Sequence, residues 1–395
     1  MPQAGLTLFA ISAILIAVYY ELSLKARLSA IGVGRVIEPL GNTDCANVEE
    51  LQACEKIVLH MPSGLLYLAC STPTERRRWL PALDVFQEDE VTFNDYIATY
   101  DLATGAVTRL TFSGGFPTSQ GYASHGLDVV TSASNPRELF VYAINHRKPI
   151  RGPGKLVGAD SVVEIFKTTV GGSTLTHVKT VESSTIVTPN DVVGFPDGKS
   201  FYFTNDHGVK IGLTRWLEWF GLARTSVGYC HVEEGCKVAI SGLHGANGIT
   251  RAQNGTVYVA NAKFGQIHVL EEQNEHYLVS TDTIALDRLT DNLSIDANGA
   301  LWAAGVPSAL PFLSAYHDSE KVAPSSALRI AKNTGAKAFF GEKLKVDKVF
   351  EDDGKQASAI TSVVYDAKRG ALFLSGKLAA PDPRVFSTHL TVCKV

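Results

Sequence analysis

Five oxygen-bearing side chains precede predicted turns at a nearly constant distance. Four of them come seven to nine residues before the glycine of a turn, and the fifth is adjacent to one of these four. The set is Glu55, Asn190, Asn247, Asp291 and Asn292. Carboxylates and carboxamides without a thiolate are the ligands of a hard cation, and calcium, which takes about six to eight oxygens, suits them best. The alternative is that each residue only caps its own turn; the shared offset favours the metal site.

Two histidines are candidates for proton transfer. His125 lies in ASHGLDVV and His146 in YAINHRK, at the two ends of one predicted blade segment. A neutral imidazole beside a cation is a competent base near pH 7. For His207 and His244 a structural role is favoured, because a lone histidine is more often a satisfied hydrogen-bonding residue than a catalyst.

A repeated turn-and-strand unit would bring these distant residues together. The unit is a polar or Gly-containing turn followed by a β-rich run, and its copies recur about 44 to 73 residues apart. The copies are residues 62–70, 135–145, 196–205, 253–261, 297–305 and 368–376. Four-stranded blades with unequal loops fit this spacing, so we predict an all-β fold, a six-bladed β-propeller whose equivalent positions surround one axis. A run of hairpins in a β-sandwich is the alternative.

The even number of cysteines, six, suggests disulfides. Cys230 and Cys236 bracket a short polar loop that a bridge would close. Cys45 and Cys393 lie at opposite ends of the body, where a bridge would join the first and last blades. The remaining two flank a predicted hairpin and are either bridged or buried thiols. They are Cys54 and Cys70.

The N-terminus forms a separate segment. Residues 4–20 are 17 uncharged, mostly apolar residues, which predicts a signal-anchor helix over residues 1–30, followed by a propeller domain over residues 31–395. A cleaved signal peptide and, more weakly, a buried core helix are the alternatives. Lys25 and Arg27 on the C-terminal flank would favour a cytosolic body, but the cysteines favour the ER lumen or the exterior of the cell. The net charge of −4 gives no basic surface for nucleic acid.

Several motifs, taken in order, resemble those of one enzyme family. They are ASHGLDVV, INH, PNDVVGF, FYFTNDHG, GANGIT, VYVANAKFGQIHVLE, LTDNLSID and GALWAAG. Over about residues 40–395 the chain resembles the paraoxonase/arylesterase family, calcium-dependent six-bladed propeller hydrolases related to the gluconolactonase-like superfamily. The apolar N-terminal helix, retained at a membrane surface, and the bridge between the terminal cysteines also match that family.

The resemblance implies roles for the site residues. The five oxygen-bearing residues would hold one catalytic calcium, His125 would be the general base, and His146 would assist it. A second calcium of the family would use Asp191 and the carbonyl of Leu127, but Lys56 replaces a carboxylate there. We therefore expect Lys56 to pair with Asp191 in place of that ion.

Other positions remain less specific. The triplet Asn205-Asp206-His207, in the motif FYFTNDHG, is expected to line the pocket or support the ligands from behind. Val306 occupies a position that often carries His in animal members, so the substrate preference cannot be transferred. Asn254 is the credible glycosylation acceptor.

Three functions are compatible with these residues. The favoured one is hydrolysis of lipophilic lactones or aryl esters, in which water attacks a metal-polarised carbonyl. The second is a biosynthetic propeller that catalyses cyclisation or isomerisation with the same metal site. The third is a propeller that only binds a partner, which the complete ligand set disfavours.

Overall fold

The computed structural model describes residues 11–14, 17–318, 320–335, 338, 341, 343–376 and 389–395. Its described strands form six sheets of four or five strands and one short two-stranded hairpin. The inner strands, one from each sheet, contact their neighbours in a closed ring around a common axis. The chain is therefore the six-bladed β-propeller that the turn-and-strand repeat predicts.

The first three blades contain the N-terminal half of the propeller. Blade 1 runs outward from the axis as β2 (Lys56–His60), β3 (Leu65–Cys70), β6 (Tyr96–Asp101) and β7 (Val107–Arg109). Blade 2 comprises β9 (Ser124–Thr131), β10 (Glu138–Arg147), β11 (Asp160–Thr169), β12 (Thr174–Val181) and the added edge strand β8 (Thr111–Ser113). Blade 3 comprises β13 (Pro189–Gly194), β14 (Ser200–Asn205), β15 (Thr225–His231) and β16 (Gly235–Leu243).

The last three blades complete the ring. Blade 4 comprises β17 (Ala246–Arg251), β18 (Val257–Asn261), β19 (Gln266–Glu272) and β20 (Leu278–Ala285). Blade 5 comprises β21 (Leu289–Ile295), β22 (Leu301–Val306), β23 (Ser325–Lys332) and β24 (Leu344–Asp352). Blade 6 comprises β25 (Ile360–Asp366), β26 (Ala371–Gly376), β27 (His389–Lys394) and, from the chain start, β1 (Cys45–Gln52).

Short helices and one hairpin lie in the connections. The hairpin is β4 (Trp79–Leu80) with β5 (Val85–Phe86). The α-helices are α1 (Lys25–Ala30), α2 (Pro73–Arg78), α3 (Gly154–Val157), α4 (Leu213–Glu218) and α5 (Ala309–His317). Single turns of 3-10 helix occur at Pro81–Leu83, Glu88–Glu90, Thr118–Gln120 and Asn274–His276.

Turn chemistry fixes the hairpins that the sequence pattern predicts. Asp197 Oδ1 accepts hydrogen bonds from the backbone N–H groups of Lys199 and Ser200, at 2.8 and 2.9 Å. Gly198, between Asp197 and Lys199, has a φ of +71°, a conformation that a residue without a Cβ adopts without strain. The register of β13 and β14, and with it the position of Asn190, therefore depends on this turn.

The core lies between the blades. Every residue of β3, β14, β22 and β26 is buried, because these strands pack against neighbouring blades on both faces. Phe203 of blade 3, for example, packs with Tyr142 and Ile144 of blade 2. Trp302 of blade 5 stacks on Tyr365 of blade 6, with ring centroids 4.6 Å apart.

Disulfides close the ring and two local loops. Cys45 and Cys393 are bridged across β1 and β27, and Cys230 and Cys236 are bridged as well, so both predictions are confirmed. The pair that the sequence left open is also bridged; it is Cys54 with Cys70. Three disulfides form in an oxidising compartment, which indicates the secretory pathway.

The N-terminal segment is helical where it is described. Residues 11–14 and 17–19 are helical, and the π-helical turn Tyr20–Leu24 connects them to α1. The remainder of the apolar segment 4–20 lies outside the described residues. No helix in the described part of the chain is long and apolar enough to cross a membrane.

α1 contacts the propeller, since Ala30 is buried and Ile31 O accepts a hydrogen bond from Ala309 N at 3.0 Å. The anchor and the division at residue 30 stay predictions.

Candidate active site

The expected ligands and the expected base lie at the beginnings of inner strands. Asn190 is the second residue of β13, Asn247 the second of β17 and Asp291 the third of β21. Glu55 directly precedes β2, and His125 is the second residue of β9. Because these strands surround one axis, residues that are far apart in sequence converge at one end of the central tunnel.

Two glycines allow the inner strands to approach each other closely. A Cβ on Gly126 would lie 2.5 Å from Asp191 Cα, and a Cβ on Gly248 would lie 2.5 Å from Asn292 Cα. A side chain at either position would therefore push neighbouring strands apart at the site. Each glycine directly follows a predicted site residue, and a glycine at such a position is a sequence signal for a close backbone contact.

Polar contacts connect the residues at the axis. Asn292 Nδ2 donates a hydrogen bond to Glu55 Oε1 at 2.9 Å, and the same carboxylate oxygen lies 3.9 Å from His125 Nε2. Asn190 Nδ2 in turn lies 3.2 Å from His125 Nε2. Glu55, His125 and Asn292 are fully buried, and Asn190 is nearly so. The structure thus brings the expected base against the expected ligands.

The donor atoms fit a calcium ion. Asn190 Oδ1 and Asn247 Oδ1 are buried and have no hydrogen-bond partner among the described residues. A buried acceptor without a partner destabilises the fold, and a cation held together with the Glu55 and Asp291 carboxylates would satisfy both oxygens. Within the described part of the chain, no three His, Cys, Asp or Glu side chains form a metal-binding group by themselves. The carboxamides are therefore essential to such a site.

The second calcium that the resemblance implies does not fit. Lys56 Nζ lies 2.5 Å from Asp191 Oδ2 and donates to Leu293 O at 3.3 Å. Burial raises the pKa of Asp191 to about 6, although the Lys56 ammonium favours the carboxylate. Leu127 lies with Lys56 in the lining of a cavity of about 490 Å³ further along the inner strands. The ammonium therefore occupies the place where a cation would bind.

His146 lies behind His125. The two ring centroids are 5.0 Å apart, and His146 Nδ1 lies 2.8 Å from Ser161 Oγ. The backbone carbonyl of His146 accepts a hydrogen bond from Trp79 Nε1 at 2.8 Å, which fixes this end of β10. Burial, with the neighbouring His125, holds the pKa of His146 well below its ordinary value, so the ring is neutral at physiological pH.

Asp206 contacts a predicted ligand, in agreement with the position behind the ligands that is expected of its triplet. Its Oδ2 accepts a hydrogen bond from Asn190 Nδ2 at 3.2 Å, which leaves Asn190 Oδ1 for a cation. Asp206 is buried, and its Oδ1 has no partner among the described residues. The neighbouring Asn205 instead supports the backbone, because its Oδ1 accepts from Val187 N and Thr188 N. The dipeptide Asn205-Asp206 repeats the Asn190-Asp191 pattern, but its spacing did not indicate which member contacts the site.

Two adjoining cavities lead from the site to the surface. The inner one, of about 120 Å³, is lined by Asn247, Asp291 and Val306 together with apolar side chains. The outer one, of about 360 Å³, is mainly aromatic and aliphatic, and Trp216 and Phe220 are among its lining residues. An apolar entrance beside a polar centre suits a lipophilic substrate.

His207 and His244, the other two candidate histidines, differ in position. His207 lines both cavities, as the sequence argument expected, and its Nδ1 lies 2.7 Å from Glu218 Oε2. His244 packs edge-on against Phe264, with ring centroids 5.0 Å apart, in agreement with a structural role.

Comparisons identify known proteins to which this chain is similar. A family model described as Arylesterase matches residues 37–377. Serum paraoxonase/arylesterase 2 of Gallus gallus is 27% identical over 88% of this chain and 90% of its own length. Serum paraoxonase/lactonase 3 of Oryctolagus cuniculus is 28% identical over 87% of this chain and 90% of its own length. Among solved structures, a gluconolactonase of Xanthomonas campestris covers 91% of this chain and 97% of its own, with 12% identity and a TM-score of 0.46.

Proposed function

Because the chain belongs to the arylesterase family, we propose that it is a calcium-dependent hydrolase of lactones or aryl esters. The observation that supports this proposal best is the convergence of Glu55, Asn190, Asn247, Asp291 and Asn292 beside a buried histidine pair. Two of these side chains carry buried oxygens that lack a partner among the described residues. A scaffold that only binds a partner has no need for this arrangement.

A calcium ion held by these residues would supply polarisation of the substrate carbonyl and stabilisation of the negative charge that develops on the carbonyl oxygen. His125 would accept the proton of the attacking water, since its Nε2 lies against both Glu55 and Asn190. His146 would assist His125 from behind, and its hydrogen bond with Ser161 fixes the orientation of the ring. Asn190, held by Asp206, would present its carbonyl oxygen to the ion.

The substrate would carry an apolar group. The outer cavity is lined largely by apolar side chains, and Val306 adds a further apolar surface near Asp291. The names of the relatives include arylesterase and lactonase, which supports the same two substrate classes here. We also propose that the apolar N-terminal helix holds the enzyme at a lumenal or extracellular membrane surface, where lipophilic esters concentrate.

Hydrolysis of phenyl acetate and a panel of lactones, before and after chelation, tests the proposal. We expect activity that is lost with a calcium chelator and restored by calcium. Mass spectrometry of the products separates hydrolysis, which adds water, from cyclisation or isomerisation. Equal background rates for the calcium-loaded wild type and His125→Gln on every ester would contradict a hydrolase.

A further inference from the structure

A buried ionic cluster forms one wall of the active-site entrance. His207 follows β14, Glu218 ends α4, and Lys263 follows β18, so three segments of the chain meet there. Glu218 Oε2 lies 2.7 Å from His207 Nδ1 and 2.7 Å from Lys263 Nζ. All three side chains are buried, with 6%, 1% and 6% of their surfaces exposed. A cluster of this kind requires that each charge be paired.

The partners of Glu218 determine the tautomer of His207. A carboxylate only accepts hydrogen bonds, so Nδ1 of the ring carries the proton that is donated to Glu218. Gly208 N donates to the second oxygen, Oε1, at 2.9 Å. Although burial opposes ionisation of Glu218, these hydrogen bonds hold its pKa at about 2. With Nδ1 as the donor to Glu218, Nε2 is the ring nitrogen that can accept a hydrogen bond.

His207 stands where the inner and outer cavities meet. The described residues that line both cavities are Ala82, Leu83, His207, Trp219 and Leu313. Only His207 in this set has a side chain that accepts a hydrogen bond. The inner cavity also holds Asn247 and Asp291, which we expect at the metal. A substrate whose carbonyl is at the metal and whose apolar arm fills the outer cavity would therefore pass the His207 ring.

We propose that His207 Nε2 accepts a hydrogen bond from a substrate hydroxyl or amide N–H group located between the reacting carbonyl and an apolar arm. Glu218 and Lys263 are positioning residues that hold the ring and its tautomer. The inference rests on the proposed hydrolase function and specifies its substrate class further. A substrate without the donor leaves Nε2 unpaired in a desolvated site, and such a mismatch reduces kcat/KM by about 10- to 100-fold.

A matched pair of lactones tests the proposal on the calcium-loaded full-length protein. The probes are γ-decanolactone and its 2-hydroxy derivative, which share the ring and the apolar arm. We expect the wild type to prefer the hydroxylated lactone by about 10-fold or more in kcat/KM. His207→Phe, which keeps an aromatic ring without the acceptor, should lower kcat/KM for the hydroxylated lactone more than that for γ-decanolactone and so abolish the preference. His207→Gln, which restores an acceptor, should recover part of the preference.

Two further measurements separate this role from a structural one. Glu218→Gln should weaken the preference because the ring loses its fixed tautomer, whereas the control His244→Phe should leave the preference unchanged. A preference that is absent in the wild type, or equal in the wild type and His207→Phe, would overturn the proposal. If the wild type hydrolyses neither these two lactones nor phenyl acetate nor any lactone of the panel, the hydrolase proposal fails instead. Calorimetric binding of both lactones to the His125→Gln variant then still tests the hydrogen bond, with weaker binding of γ-decanolactone as the expected result.

Discussion

Lys56 Nζ lies 2.5 Å from Asp191 Oδ2, and both side chains are buried at the axis of the propeller. Asp191 Oδ2 also accepts a hydrogen bond from Ile249 N at 2.9 Å, so the carboxylate ties inner strands of three blades together. A single cation is enough to neutralise it, and β2 supplies that cation covalently. The neighbouring Asn292 is close to the same ammonium, with Oδ1 3.5 Å from Lys56 Nζ.

The first prediction concerns the number of bound metal ions. Since Lys56 occupies the second position, the purified protein should hold one calcium ion per chain, as measured by plasma mass spectrometry after desalting. Chelation should abolish esterase activity and leave the propeller folded, as judged by circular dichroism. Two tightly held ions per chain would show that the lysine does not replace the second ion.

A substitution of the same lysine gives the second prediction. Lys56→Met leaves Asp191 buried without a charge partner, which should lower the free energy of unfolding by about 3–5 kcal/mol in urea titrations. Lys199→Met is the matched control, because Lys199 makes an ion pair with Glu233 at the exposed surface. Its effect should be small in comparison, because an exposed ion pair contributes little to stability. Equal effects of the two substitutions would exclude a central role for Lys56.

The third prediction addresses proton transfer. His125→Gln removes the base but keeps a side chain that forms hydrogen bonds, so kcat should fall by about 10²- to 10⁴-fold. The affinity for calcium and the melting temperature, measured by calorimetry, should change little in comparison. His244→Gln is the control, since His244 packs against Phe264 away from the cavity lining. An active His125→Gln enzyme would assign the base to another group.

The sequence predicted the propeller and most of the axis because both depend on short-range rules. A turn such as Asp197-Gly198 needs specific side chains at fixed positions, and six copies of one turn and strand imply six blades. Four of the predicted ligands could be found because each precedes the glycine of its turn by seven to nine residues, and Asp291 is adjacent to one of them. The metal itself, and the role of each residue in catalysis, stay predictions.

The entrance could not be predicted by the same rules. Glu218 lies in the helix that connects the second and third strands of blade 3, and Lys263 follows the second strand of blade 4. Both lie beyond the turn-and-strand repeat, so the repeat does not indicate that they meet. The contact of Asp206 with Asn190 could not be predicted for a related reason, because Asp206 follows a second strand and the contact depends on how β13 pairs with β14. Contacts that depend on loop conformation require the folded structure.

The fourth prediction is that Asp206 tunes the metal site through Asn190. Asp206→Ala removes the acceptor of the Asn190 Nδ2 hydrogen bond and frees the carboxamide to rotate. The affinity for calcium should fall by about 10- to 100-fold, the usual cost of losing a group that orients a metal ligand. Activity measured in calcium–chelator buffers gives the affinity, and saturating calcium should restore most of kcat. Asp101→Ala, at a turn between the outer strands of blade 1, should affect stability without this shift in affinity.

The fifth prediction follows from the low pKa of Glu218. The hydrogen bonds of His207 and Lys263 hold the pKa of this carboxyl at about 2 in the folded protein, below its ordinary value of 4.5. A depressed carboxyl pKa stabilises the fold above the unfolded pKa, and this stability is lost as the pH falls from about 4.5 toward 2. Glu218→Gln should therefore be less stable than the wild type at pH 7 by about 1–3 kcal/mol, and the difference should disappear toward pH 2. Urea titrations of both proteins at several pH values measure it, and subtraction removes the titration of the other carboxylates. The control Glu233→Gln, at an exposed ion pair, should have the stability of the wild type at every pH. If wild type and Glu218→Gln differ in stability by the same amount at pH 3 and at pH 7, Glu218 is not ionised in the cluster.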